Sequence, residues 1–239
     1  MDEIDASRAF VARDDSFDSA QALRVALRRL RSGLTLFRPM LPPDHNKALL
    51  DEARWLAVEV TRLRDFYLLW QDTLTPARVA LPENDALRAL EERVLARIKS
   101  ERTQLRALLD GERVRDLMAR GREMSDPDFW RPAAQSREKL ESLCIETLEL
   151  RLNQALKHGE TLKRLDSQAR DSFRKSLRKL RATAEFTQSM FASKKTKAFL
   201  KQLKKLLDSM VAARDASAVR DRLEDLMHDM EEGSAERHI

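Results

Sequence analysis

Apolar residues recur every three or four positions through most of this chain, and no segment shows the every-second-position alternation of a strand. From Ser19 the stripe is sharp: Leu23, Leu27, Leu30, Leu34, Phe37 and Leu41 share one helical face, and Pro39, Pro42 and Pro43 end it. A second helix is predicted from Asp44, a candidate N-cap, to about Asp72, with Leu50, Trp55, Leu56, Val60, Leu63 and Tyr67 inward. Pro76 and Pro82 bracket an expected loop. Helical pattern resumes over about Asp85–Leu109 and, more briefly, Glu112–Arg120. Beyond a break at 125–132, rich in turn-forming Ser, Asp and Pro, four helices are expected over about Ala133–Lys157, Leu165–Met190, Lys194–Ala213 and Asp215–Met230. Residues 1–16 read as an N-terminal extension, either a short helix or a frayed tail.

The break falls near the middle, and the two sides repeat. Leu23-Arg-Val-Ala-Leu-Arg-Arg-Leu-Arg31 returns 150 residues later as Phe173-Arg-Lys-Ser-Leu-Arg-Lys-Leu-Arg181. Arg64-Asp65 maps onto Arg214-Asp215 at the same offset. The expected fold is therefore all-α: two related, pseudo-symmetric helical bundles (about 17–124 and 133–232) within one domain spanning 17–239, around a basic groove or channel.

The repeat carries more than a core stripe. On a wheel of 100° per residue, Arg24, Arg28, Arg31 and Arg38 fall within about 80° of one another, beside the Leu stripe and not opposite it. Arg174, Arg178 and Arg181 stand in the same relation to Phe173, Leu177 and Leu180. Such a row borders a helix–helix seam. Residues 19–43 hold five Arg and no acid, and residues 170–205 hold twelve Lys or Arg against Asp171 and Glu185 alone. Like charges stacked at i, i+4 cost an isolated helix about 0.2–0.5 kcal/mol per pair. A chain that keeps such rows twice at equivalent places is expected to meet a polyanion there. Arg presents a planar fork that suits phosphate, and Lys a point charge.

Composition narrows the class. Apolar residues make up 42% and charged residues 36%, with only 5 Gly and 7 Pro, which fits a folded protein of long helices with a charged surface. Net charge is only +5, so local failure of acids and bases to mix matters more than the total. The single Cys144 excludes an internal disulfide framework and fits a reducing compartment. No apolar run is long enough to span a membrane, and the acidic N-terminus is no secretory signal. These features place the expected protein in the cytoplasm.

The residues from Leu23 to Phe37, then Trp55-Leu-Ala and Arg64-Asp65, resemble the first half of the CHAD family, the conserved histidine α-helical domain, and residues 170–215 resemble its second half. That resemblance implies a non-catalytic protein that binds long inorganic polyphosphate in a basic channel and associates with polyphosphate granules. Carried onto this chain, the ligand contacts are Arg24, Arg28, Arg29, Arg31, Arg38, Arg54, Arg64, Arg174, Arg178, Lys179, Arg181, Lys201, Lys204 and Lys205. The chain departs from the family where a histidine precedes each signature by three residues: here stand Gln21 and Asp171. Gln can donate to phosphate but cannot become cationic, and a carboxylate repels phosphate unless Arg174 or another base neutralises it.

Other chemistry has little support in the residues. His45, His158, His228 and His238 have no metal-ligand spacing, and His158 reads as the C-terminal turn of a helix. Cys144, among Leu143, Ile145 and Leu148, reads as a core thiol. Neither GxxxxGK[ST] nor GxGxxG occurs, and no cofactor or metal is expected. Trp55 reads as core, while Phe129-Trp130 is either an exposed aromatic pair or a plug between the halves. Two alternatives to polyphosphate remain: a helical protein holding nucleic acid by its phosphates, and an adaptor docking an acidic protein. The Lys194–Lys205 run would also suit an anionic membrane surface, without membrane insertion.

Overall fold

The computed structural model describes residues 1–126, 129, 137–159, 167–191 and 194–212, and among them there is no strand. The helices are α1 (Asp2–Arg13), α2 (Phe17–Leu36), α3 (Pro43–Leu69), α4 (Thr75–Ala80), α5 (Asp85–Leu109), α6 (Glu112–Glu123), α7 (Arg137–Gly159), α8 (Ser167–Phe186) and α9 (Lys194–Ala212). The expected helix at 215–230, the Arg214-Asp215 match, Trp130, His228 and His238 lie outside the described residues.

Several boundaries depart from the sequence expectation for local reasons. Phe37 leaves helical geometry (φ −90°, ψ 10°), and Arg38–Met40 form a 3₁₀ turn holding Pro39, so Arg38 is not on α2. Asp44 is not the cap of α3. Pro42 is, and Pro43 takes the first helical position, where its missing N–H costs nothing. The expected loop at Pro76 is helix: α3 runs through a π turn, Trp70–Leu74, into α4, with Pro76 in the first turn of that new segment. At Asp85 the sequence signal holds, since the Asn84 side chain accepts from Leu87 N–H at 3.0 Å.

Residues 1–13 form α1, which enters the core through Ile4 and Val11. The main hydrophobic cluster joins α1, α2, α3, α5 and α6 around Leu23, Leu27, Leu34, Leu49, Leu56, Val60, Leu105 and Leu117, all at 2% exposure or less. Fully burying a side chain of this kind stabilises by about 1.5–3 kcal/mol, so this cluster fixes the rotation of α2 and α3. The N-terminal segment is also pinned electrostatically: Asp15 takes Arg102 at 3.0 Å and Arg106 at 2.7 Å from α5. On α6, Arg113 stacks 3.8 Å over the Trp55 ring while pairing with Glu52, so that Trp is tied into the α3–α6 seam.

A second cluster joins Ala155 of α7, Phe173, Leu177 and Leu180 of α8, and Leu203 and Leu207 of α9. Cys144 of α7 is fully buried, and burial raises its thiol pKa, as a core thiol should behave. Between the clusters, α2 packs on α8. Phe37 and Phe186 meet edge to face, with centroids 6.4 Å apart and planes at 86°. Gly33 is what permits the approach, because a Cβ there would stand 3.2 Å from the Phe186 ring.

Candidate functional site

On α2 the buried apolar positions are Ala20, Leu23, Ala26, Leu27, Leu34 and Leu36, and on α8 they are Phe173, Leu177, Leu180 and Ala184. A residue one position after a buried one sits about 100° round the helix, at the edge of the seam. Arg24, Arg28, Arg174, Arg178 and Arg181 all follow buried residues in this way. When α2 packs on α8, the two arginine rows come to the same side of the contact. Arg24, Arg28, Arg31 and Arg178 border two adjoining cavities of about 440 and 380 Å³ that share Arg28, Arg31 and Arg54 and so make one cleft.

α2 lines this cleft with Arg24, Arg28, Arg31, Ser32 and Thr35, α3 with Arg54, Thr61, Arg62 and Asp65, α7 with Thr147 and Arg151, and α8 with Lys175, Arg178, Lys179 and Thr183. Hydroxyls therefore stand among the cations along the walls, those of Thr35, Thr61 and Thr183 donating to the carbonyls of Arg31, Ala57 and Lys179. Arg28 keeps more than a third of its surface open to solvent, so the cleft is an open groove.

The electrostatics record the crowding. Burial, then the charges of Arg64, Arg28 and Arg178, lower Arg24 to about 10. Burial, then Arg174, Arg28 and Arg64, lower Arg178 to about 10. Burial and Arg181 lower Arg28, and burial and Arg54 lower Arg31. Every one of these guanidinium groups stays cationic at neutral pH. Among the described residues Arg24, Arg28, Arg31 and Arg178 have no carboxylate in an ion pair, and Arg31 Nε is buried without a hydrogen-bond partner. Their neighbours are paired: Arg54 with Asp51 and Arg64 with Asp65, both at 3.0 Å, and Arg181 with Glu185 at 2.8 Å.

The positions singled out for replacing histidine face this site. Gln21 Oε1 accepts from Arg64 Nε at 3.2 Å and from Arg24 Nε at 3.4 Å, so it orients two arginines from two helices. Asp171 pairs with Arg174 and, at 2.6 Å, with Lys175, which together hold its carboxyl below the usual range. The neutralisation that the sequence demanded of Asp171 is thus present.

Not every expected contact converges. Arg29 turns to the other side of α2, where it pairs with Glu3 of α1. Arg38 is exposed on the 3₁₀ turn, and Lys201, Lys204 and Lys205 are exposed on α9. None of these five lines the cleft, and neither do Arg64, Arg174 and Arg181, which stand behind its walls and act on Arg24 and Arg178 or on Arg28 through their charge. The sequence reading in turn passed over Arg62, Arg151 and Lys175. Lys175 was discoverable as the i+4 partner of Asp171, whereas nothing local marks Arg151. Trp70 donates to Glu91 at 3.1 Å and Phe129 packs against the main cluster and the His45 ring, and no aromatic among the described residues lines the cleft. His158 Nδ1 sits 2.7 Å from Gln154 O in the last turn of α7. No helix among the described residues is long and apolar enough to cross a membrane.

Comparison with known proteins places this geometry in a context. The family model described as the CHAD domain matches residues 1–224, a span that takes in α1. A crystal structure of the CHAD domain from the plant Ricinus communis is similar over 98% of this chain and 77% of its own, with a TM-score of 0.77 and 24% identity. No curated protein matches.

Proposed function

Because the chain belongs to the CHAD domain family, we propose that its arginine-lined cleft binds linear inorganic polyphosphate and holds it without turnover. The family is associated with polyphosphate binding in general. The observation that carries the proposal to this chain is the unpaired quartet Arg24, Arg28, Arg31 and Arg178, gathered from two helices against its own repulsion. A phosphate chain would offset that repulsion, satisfy donors such as Arg31 Nε, and use the forks bidentately. Ser32 and Thr147 add neutral donors. Binding would draw on release of counterions, so log affinity falls linearly with log salt.

In this reading α2 and α8 are equivalent elements of two related halves. Both span 20 residues, and Phe17–Leu36 lies 150 residues before Ser167–Phe186. Cytoplasmic placement on polyphosphate granules would follow from the ligand.

The test is a competition titration: labelled long-chain polyphosphate against charge-matched tRNA and duplex DNA, at low and physiological salt. Polyphosphate should win by about tenfold or more, and the double variant Arg28→Glu/Arg178→Glu should lose binding by about 100-fold with helicity unchanged. Equal affinity in that variant would sink the site. Preference for nucleic acid would reassign the ligand. If polyphosphate binding is absent while one acidic protein is retained, the cleft is a docking groove.

A further inference from the structure

The two arginine rows are equivalent in sequence and unequal in charge. Asp171 holds Arg174 and Lys175, and Glu185 holds Arg181 at 2.8 Å, so two of the three row arginines on α8 are paired. The positions 150 residues earlier are Gln21 and Thr35, both neutral, and the row of α2 carries no ion pair among the described residues except that of Arg29, which faces away. Neither Asp171 nor Glu185 lines the cleft itself, but both stand at its edge: Asp171 holds Lys175, a lining residue, at 2.6 Å and its charge reaches Arg178, and the Glu185 charge reaches Arg28. The pairing with Arg174 is also incomplete: only a terminal nitrogen meets Asp171, while Nε stays buried without a partner. A tetrahedral anion would engage both edges of that fork. Asp171 and Glu185 therefore occupy bases that the repeat would otherwise give to the ligand.

We propose that Asp171 and Glu185 are built-in competitors for phosphate that mute the α8 row, so that a bound polyanion is anchored on the α2 row and Arg178, with the rest of α8 held in reserve. This inference rests on the cleft being a polyphosphate site and adds which half of it grips. The competitors limit affinity and make it easily reversed.

The experiment compares the full chain with Asp171→Asn/Glu185→Gln and with the reciprocal Gln21→Asp/Thr35→Glu, by titration of long-chain polyphosphate across a salt series. A third variant, Asp85→Asn/Glu112→Gln, makes the same change in net charge at two acids that pair with no arginine of either row and do not act on Arg24, Arg28 or Arg178. Releasing Arg174, Lys175 and Arg181 should add up to three phosphate contacts. At about 0.7 in slope per contact for a single-stranded polyanion, the log affinity–log salt line should steepen by roughly 1–2, with about tenfold tighter binding near 0.1 M salt. The reciprocal variant should flatten the line and weaken binding by a similar factor, and the distant variant should leave the slope unchanged. Circular dichroism melts confirm that each variant is folded. If the Asp171/Glu185 variant matches the unmodified slope while Arg28→Glu/Arg178→Glu abolishes binding, the competitors are ordinary surface pairs and the cleft remains the site. If polyphosphate binds none of these proteins, including the released variant, the cleft reading fails and this inference with it.

Discussion

Replacing Arg178 by Met separates what the site costs from what it does. Met keeps the apolar stem and removes the charge. Arg178 is lowered from the ordinary guanidinium value to about 10, by burial first and then by Arg174, Arg28 and Arg64, with Asp171 opposing. Taken whole, that shift corresponds to ~3 kcal/mol at ~1.4 kcal/mol per unit. The groove is open and solvent screens it, and loss of the polar head leaves imperfect packing, so a net gain of ~1 kcal/mol is the working figure. For a chain of this size the unliganded variant should melt ~2–4 °C above the unmodified protein. The sign with pH follows from the direction of the shift. A base whose folded pKa is lowered destabilises the fold at every pH below about 10, and the cost fades only as pH rises from there toward the ordinary guanidinium range. The advantage of Met should therefore stay flat from pH 6 to 9. Salt should narrow it by screening the repulsion, while the burial share persists. Saturating polyphosphate should reverse the order, since ligand at 100 times Kd adds ~2.7 kcal/mol to the protein that binds it. Thermal melts with and without polyphosphate read all of this. A variant that melts below the unmodified protein at low salt without ligand would refute the reasoning, because Arg178 would then stabilise the fold and not burden it.

Two further substitutions probe the geometry. Gln21→His places an imidazole against Arg24 and Arg64, whose charges push its pKa below the ordinary value of about 6.5. Polyphosphate affinity should match that of the unmodified protein at pH 7.5 and rise severalfold only by about pH 5.5, and a pH-independent affinity would remove position 21 from the site. Gly33→Leu drives a side chain into the Phe186 ring, at an overpacking cost of ~1–3 kcal/mol, against about 1 kcal/mol of helix propensity gained. The variant should melt several degrees lower and bind polyphosphate more weakly as the α2–α8 seam opens. Full stability and full binding in that variant would show that the seam is not set at Gly33.

The rows were legible because they are written twice. Arg24, Arg28 and Arg31 recur as Arg174, Arg178 and Arg181 beside recurring apolar residues, and rotation of each helix is set by that local pattern alone. What failed to show was whatever depends on a distant partner. Arg29 sits among the same arginines, yet Glu3 of α1 takes it to the other side. Arg38 was placed by extending a wheel through a residue, Phe37, that leaves helical geometry. Lys201, Lys204 and Lys205 form a good amphipathic row, but burial of Leu203 and Leu207 turns it away from the cleft. Arg151 could not be found at all, since α7 must first be packed on α8 for its side chain to reach the groove.

The way acids are spent across this molecule explains how a net charge of only +5 can build a strong anion site. Forty acids nearly match forty-five bases, and most described arginines outside the cleft have a carboxylate assigned to them. Glu3 takes Arg29, Asp5 takes Arg8 and Arg122, Asp15 takes Arg102 and Arg106, and Glu52 takes Arg113. Many of these pairs join one helix to another, so they position the framework while removing their arginines from competition for a ligand. Exposed pairs of this kind contribute little stability each, about 0–1 kcal/mol. Their larger effect is subtraction: they leave Arg24, Arg28, Arg31 and Arg178 as a place where pairing stops. A site made by withholding acids can be graded by restoring them, and Asp171 and Glu185 stand where such grading would act.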